Sequence, residues 1–284
     1  HVRTMNLIEG FFGVGAIIGP AIVAYLLAVG ASWKWVYLVA AVMCGLLIIG
    51  AASAKFPRPV KSAAEPTRAT DAIRLAGDPA SMFFGAALML YVAAEAAIYV
   101  WAPTYLADYT GSWVALAGYA VSIFFVLRAA GRFLGVWLLG RFSWATVITV
   151  CSASMAVLFW VAVAGGREIA IFALPATGLF MSVLYPTINS TGISCFDKGR
   201  HGSMAGLLLF FTCISAVLAP LAMGAMGDVM GDSKYAIVLG AVFATLLVVL
   251  CIWNAVRQPF RARLAERNAS DYRAPDAELQ AATL

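Results

Sequence analysis

The sequence has 284 residues, of which 63% are hydrophobic and only 12% charged, with a mean hydropathy of +0.89. A water-soluble fold of this length has too little interior to hide that much apolar surface, so a soluble domain is excluded. The net charge of +5 sits in particular loops and is not a nucleic-acid footprint. The five cysteines are scattered and form no CxxC or His-rich cluster, which supports neither a metal site nor a disulfide framework. The apolar runs are continuous rather than alternating, so a β-barrel is also excluded. What remains is an all-α polytopic membrane protein.

Eight apolar segments follow in order: 6–29, 35–54, 79–106, 113–139, 144–165, 169–193, 204–226 and 235–256. Each has about 20 residues or more, enough to cross a hydrocarbon core of about 30 Å. The links are short except for 55–78, which is polar, carries prolines and divides two helices from six. The chain is thus expected to divide into 1–54, the loop 55–78, a six-helix bundle 79–257 and a charged tail 258–284. Starting residue 1 inside places fourteen of the nineteen Lys and Arg in inner segments. Only Lys34, Arg167 and Lys234 fall outside. By the positive-inside rule the long loop and the tail are cytoplasmic, and the chain is a multi-pass protein of the inner (plasma) membrane. Arg128 and Arg132 belong to neither class, because they lie within 113–139.

A shift of 200 residues without a gap brings Phe11 onto Phe211, Pro20 onto Pro220, Lys34 onto Lys234 and Leu46 onto Leu246. The shared layout is a helix, a turn ending in Lys plus an aromatic, and a second helix. The first two helices are therefore expected to be counterparts of the last two, as in transporters built from parallel repeats. If one half has six helices, so should the other, and four are expected upstream. The initial His, in place of Met, agrees with a fragment.

The stretch from Pro79 to Leu106 is the focus. Asp78 followed by Pro79 reads as an N-cap and first helical position. Between Asp78 and Asp108 the only carboxylate is Glu95. A carboxylate inside a spanning helix faces a bundle interior or a water-filled path, and is a functional-site hypothesis by default. The alternative is a structural carboxylate bonded to a neighbouring helix. At 3.6 residues per turn Tyr91, Glu95 and Tyr99 share a face, a lining suited to polar cargo. Pro103 weakens the outer end. From the turn at 108–112, Glu95 lies 13 residues back and Arg128 16 residues on, depths of about 20 Å and 24 Å. If the two helices are antiparallel neighbours, the charges meet inside the membrane and compensate each other.

Other residues carry weaker signals. Gly13, Gly15 and Gly19 with Pro20 make a small-residue face, which suits close helix packing. Tyr185, Pro186, Thr187 and Asn189 form a polar, helix-weakening patch. Asn189 is a candidate hydrogen-bond partner for cargo or for a neighbouring helix. Glu9 shares a face with Asn6. Trp33, Trp35, Trp113 and Trp144 read as interface anchors. Trp101 and Trp137 are candidates to stack on cargo, or to pack the core.

The stretches MNLIEGFFGVGAIIGP (5–20), YVAAEAAIYVWAPTYL (91–106), GRFLG (131–135), LYPTINSTGI (184–193), GSMAG (202–206) and APLAMGAMGD (219–228) carry a resemblance. The chain resembles a major facilitator superfamily transporter, and most of all the fucose-permease-like sugar:proton symporters. That resemblance implies the major facilitator fold, with the last two helices of a first bundle and a complete second bundle. It implies alternating access, with a sugar as cargo and the proton gradient as energy source, and no cofactor. Gly131, Arg132, Gly135 and Arg141 resemble the second-half copy of a cytoplasmic loop motif, so Arg132 and Arg141 are expected to act in gating. Glu95 becomes the candidate proton-coupling carboxylate. Relatives place a small or apolar residue where Arg128 stands, which makes Arg128 a candidate contact for an anionic or strongly polar cargo.

The superfamily's antiporters carry a similar GxxxGP motif, so a proton-coupled exporter of drugs or metabolites is the alternative. No HExxH, GxSxG, paired carboxylates or metal spacing appears, which argues against an enzyme. The expected partners are a small solute and the bilayer, without nucleic acid, and the chain is expected to act as a monomer.

Overall fold

The computed structural model describes residues 34–54 and 74–267, with scattered positions between 15 and 32. Asn6, Glu9, Gly13, Pro20, most of segment 6–29, the loop 55–73 and the tail beyond 267 lie outside the described residues. The described chain is helical. Its elements are α1 (Lys34–Ser53), α2 (Pro79–Ala96), a π-helical turn (Ala97–Trp101), α3 (Ala102–Ala107), α4 (Val114–Gly118), α5 (Ala120–Arg141), α6 (Trp144–Ser194), α7 (His201–Met230) and α8 (Lys234–Arg257). A single-turn 3₁₀ segment, Lys198–Arg200, precedes α7.

Local chemistry sets the helix starts. The Asp78 carboxylate accepts the Ala80 amide at 2.8 Å, and Pro79 supplies a preset φ where no N–H is needed. Ser143 caps α6 by accepting the Thr146 amide at 3.2 Å. At the other end of α7, Gly231 takes the left-handed conformation (φ 73°) that a side chain would resist.

The 51 residues of α6 would make a rod of about 77 Å, far more than a bilayer core. The element instead doubles back at Gly166, where φ is 64° and ψ is −164°. Phe84 shows the reversal. Its ring centroid lies 6.1 Å from that of Trp144, near the start of α6, and a Cβ on Gly192, near its end, would come within 2.9 Å of the same side chain. The arms 144–165 and 167–194 are therefore two antiparallel crossings. With α3 continuing α2 and α6 counted as two arms, six helices long and apolar enough to cross a membrane run from α2 to α8 among the described residues.

Glycines set how closely the helices approach. A Cβ on Gly131 would come within 2.3 Å of the Leu179 carbonyl oxygen, and one on Gly178 within 2.4 Å of the Phe124 carbonyl oxygen. The backbones of α5 and the second arm of α6 thus touch, as small residues allow in membranes. α2 packs on α7, α8 and α6. By contrast α5 packs closely on α3 but not along α2. The expected antiparallel pairing of these two helices is confined to the ends nearest the turn at 108–112, because the second arm of α6 takes the place beside α5.

One further expectation is qualified and another corrected. The weakening expected at Tyr185–Asn189 does not amount to a break, since α6 runs on through Pro186. Segment 113–139 is not one helix, since α4 ends at Gly118 and α5 starts at Ala120. None of the residues of α1 is buried, so its apolar faces are open. α1 begins at Lys34 and α8 at Lys234, in register with the 200-residue repeat.

Candidate functional site

Glu95 stands one residue before the end of α2, and Arg128 near the middle of α5. The Arg128 Nη1 makes a direct ion pair with Glu95 Oε1. Only 9% of the Arg128 side chain and 12% of the Glu95 side chain is accessible. The same carboxylate oxygen lies 3.4 Å from the Tyr91 hydroxyl, which sits 3.2 Å from the Met181 carbonyl oxygen. Tyr91 is fully buried, and its ring lies 5.8 Å from that of Tyr185. The Arg128 guanidinium lies 5.9 Å from the Phe124 ring centroid, and its Nε is buried without a hydrogen-bond partner among the described residues. The site thus joins α2, α5 and the second arm of α6.

The ion pair bridges two helices that are not packed along their lengths, so the long Arg128 side chain spans the gap between them. Its backbone is held where Gly178 meets Phe124 and Arg128. A paired ion couple in a low-dielectric interior is stable only while both partners stay charged. Removing one leaves an uncompensated charge at a cost of about 3–5 kcal/mol.

Tyr99 is not brought to Glu95. It is 39% exposed and makes no hydrogen bond among the described residues. The π turn is the cause: the Ala102 amide bonds back five residues to Ala97, so the four-residue spacing no longer returns to one face. Pro103 lies just beyond, where its missing N–H cannot complete an α-helical ladder. Trp101 packs its ring against Gly224, where a Cβ would come within 3.0 Å, and its indole N–H is buried without a partner. Asn189 is half-buried, without a hydrogen bond to any described residue. Trp137 is exposed and carries the Arg141 guanidinium 4.8 Å above its ring, so it is no deep stacking platform. Arg141 itself is exposed at the end of α5, and Arg132 is buried one turn from Arg128. Sequence reasoning missed the Met181 carbonyl and Phe124. Neither carries a compositional signal, since one contributes only backbone and the other is one apolar ring among many.

Each end of the bundle has its own polar cluster. At one end Tyr109 donates to Glu168 at 2.6 Å, and the Arg167 Nε donates to the Tyr105 carbonyl oxygen at 2.8 Å. At the other, Arg263 spans the Asp78 carboxylate (2.9 and 3.0 Å) and the Cys195 carbonyl oxygen (2.7 Å), with its guanidinium 4.4 Å from the Phe196 ring. Arg267 pairs with Asp197 beside it. Burial pushes the Asp78 carboxyl up, but the Arg263 hydrogen bond, the Ala80 amide and the positive charge outweigh it and hold it below its ordinary 3.8.

A bundle of membrane-length helices around a buried ion pair is the layout of a polytopic membrane protein. The family model for the Major Facilitator Superfamily matches residues 1–220, and the chain belongs to that superfamily. The superfamily is one of transporters, not of enzymes. Among curated relatives, a TsgA homolog of Citrobacter koseri is 26% identical over 65% of this chain and 46% of its own length. TsgA of Escherichia coli is 24% identical over 85% of this chain and 60% of its own length. The chain thus spans about half to three-fifths of these relatives. Among solved structures, the transporter FucP in the outward conformation matches with a TM-score of 0.71 at 20% identity, over 89% of this chain and 68% of its own. A variant of the Escherichia coli fucose:proton symporter FucP matches at 0.69 and 21%, with the same coverage. These likenesses establish the fold.

Proposed function

We propose that the protein is a secondary transporter that moves a small polar solute of the sugar class together with a proton, by alternating access. The observation that carries this reading is the Glu95–Arg128 ion pair, buried yet bridging helices that do not pack along their lengths. Such a pair is a two-state element. A proton on Glu95 removes one charge, weakens the bridge and lets α2 and α5 separate. Tyr91 is positioned to keep a hydrogen bond to either form of the carboxyl, and Tyr99, Trp101 and Asn189 remain candidate cargo contacts. The fold match to a fucose:proton symporter supports the choice of cargo and ion.

In this reading 79–257 is the second six-helix bundle, and 1–54 supplies the last two helices of the first. The loop and tail are cytoplasmic, in the inner membrane. Arg132 and Arg141 act in gating, where basic groups at a helix end hold one conformation closed.

Uptake of labelled sugars into proteoliposomes holding the full-length protein, with and without an inward proton gradient, tests the reading. Gradient-driven accumulation is expected. Proton-driven extrusion of apolar compounds, with no sugar uptake, would replace it with the exporter.

A further inference from the structure

We propose that the solute carried with the proton bears a carboxylate, and that this group takes over Arg128 when Glu95 is protonated. The inference rests on Glu95 being the proton switch and adds the chemical class of the cargo. Arg128 is 7% exposed, and arginine is the most persistently charged of the basic side chains. With Glu95 ionised, the pair is neutral as a whole. Protonating Glu95 without a substitute leaves a lone cation in the interior, which is strongly unfavourable. A neutral sugar cannot remove that charge. A carboxylate can, and it can meet the planar guanidinium in the two-bond geometry that Arg prefers. The guanidinium keeps donor capacity for such a partner, because Glu95 pairs with Nη1 while the buried Nε has no hydrogen-bond partner among the described residues.

The charge count then closes. In the resting state Glu95 contributes −1 and Arg128 +1. In the loaded state the proton brings Glu95 to zero, and the cargo carboxylate supplies −1 against Arg128. The site is neutral both times, so loading carries no net charge into the bundle. After the site opens to the other side, Glu95 releases its proton, reclaims Arg128 and displaces the cargo. The charged and titratable groups around Glu95 allow this exchange. Tyr91 from its own helix and Arg128 from α5 touch it, and the second arm of α6 adds Tyr185 behind Tyr91. Arg132 lies one turn further along α5. Between their ends, α7 and α8 offer only Cys213 and Cys251, and the first arm of α6 only Cys151.

The test uses the full-length protein with D-gluconate and D-glucuronate as probes, against D-glucitol, D-glucose and L-fucose as neutral counterparts, and small mono- and dicarboxylates. Thermal stabilisation reports binding, and uptake into proteoliposomes is measured with the pH gradient and the membrane potential set separately. A monocarboxylate from this panel is expected to stabilise the protein and to enter on the pH gradient alone, indifferent to potential, whereas a dianion taken up with one proton would respond to potential. Glu95→Gln, which leaves Arg128 available, is expected to bind it at least as tightly as wild type at neutral pH. Arg128→Gln is expected to weaken binding about tenfold or more. If Arg128→Gln does not fold, the double variant Glu95→Gln with Arg128→Gln removes both buried charges and is expected to show the same loss. A neutral sugar entering with a proton, driven by potential and bound equally well by the Arg128 variant, would overturn the carboxylate while leaving Glu95 as the switch. Carboxylate uptake that keeps its wild-type pH dependence in Glu95→Gln would remove the switch instead. Failure of every carboxylate in the panel to stabilise the protein overturns the proposal.

Discussion

Glu95 is the only charged residue of α2, and Arg128 shares the middle of α5 with one other charge, Arg132; a lone ion is costly at either place. Their roles separate under substitution. Glu95→Gln mimics a permanently protonated carboxyl, so cargo binding is expected to persist while its dependence on pH disappears. A wild-type pH profile for binding in that variant would exclude Glu95 from coupling. The same substitution leaves Arg128 an uncompensated cation. In the absence of cargo it is expected to destabilise the folded protein by about 3–5 kcal/mol. The double variant with Arg128→Gln should recover most of this loss, since two neutral amides of similar shape replace the pair. Additive losses in a double-mutant cycle followed by thermal unfolding would show that the two residues are energetically independent.

At the scale of the helices, position depends on where backbone meets backbone. Gly178 is the key contact for the site, because its missing Cβ makes room for the Phe124 carbonyl and lies close to the Arg128 amide. Gly178→Ala is expected to push α5 away from the second arm of α6 at a cost of about 1–3 kcal/mol and to lower transport by displacing Arg128. Gly118→Ala, where nothing lies within 4 Å, is expected to leave both stability and transport near wild type. Equal activity of the two variants at equal membrane expression would show that the close approach does not position the site.

The sequence made much of this scale readable. Asp78–Pro79 marks the start of α2, and the break expected between 165 and 169 appears at Gly166. Counting residues from the outer turn placed Glu95 and Arg128 at similar depths, and they do meet. Their helices, however, are not neighbours along their length. Residue spacing along a chain fixes depth but not lateral order, which depends on how the second arm of α6 packs. The π turn was equally hidden. Pro103 announced a weak point, but the extra residue was absorbed at 97–101, on the N-terminal side, and that rotated Tyr99 off the shared face. The Met181 carbonyl beside Tyr91 is a backbone group, which no residue type reveals.

Across the whole molecule, the end of the bundle that carries Asp78, Cys195 and Arg263 is tied together by chain that follows the last membrane helix. Arg263, in the short helical segment 261–267, joins the start of α2 to the end of α6 through the Asp78 carboxylate and the Cys195 carbonyl. Both side chains of the ion pair keep about a quarter to a third of their surface accessible, at 32% for Arg263 and 26% for Asp78. Solvent screening therefore limits the pair to about 1 kcal/mol. Arg263→Ala removes the pair and also strands the Cys195 carbonyl, so a total loss of about 1–3 kcal/mol is expected in thermal unfolding. The pH dependence has a definite sign. The Asp78 carboxyl titrates below its ordinary 3.8 in the folded protein, so its ionised form is the one that folding favours. Its contribution is complete above the unfolded value and is lost as the pH falls through the folded one. Asp78→Asn keeps a side-chain oxygen for the Ala80 amide and removes only the charge. The Tm difference between wild type and Asp78→Asn is therefore expected to be constant from neutral pH down to about pH 5. It should then shrink progressively at pH values below 3.8. A difference that instead grew on acidification would mean that Asp78 is held protonated by its surroundings, and the strap from Arg263 would then have to act through the Cys195 carbonyl alone.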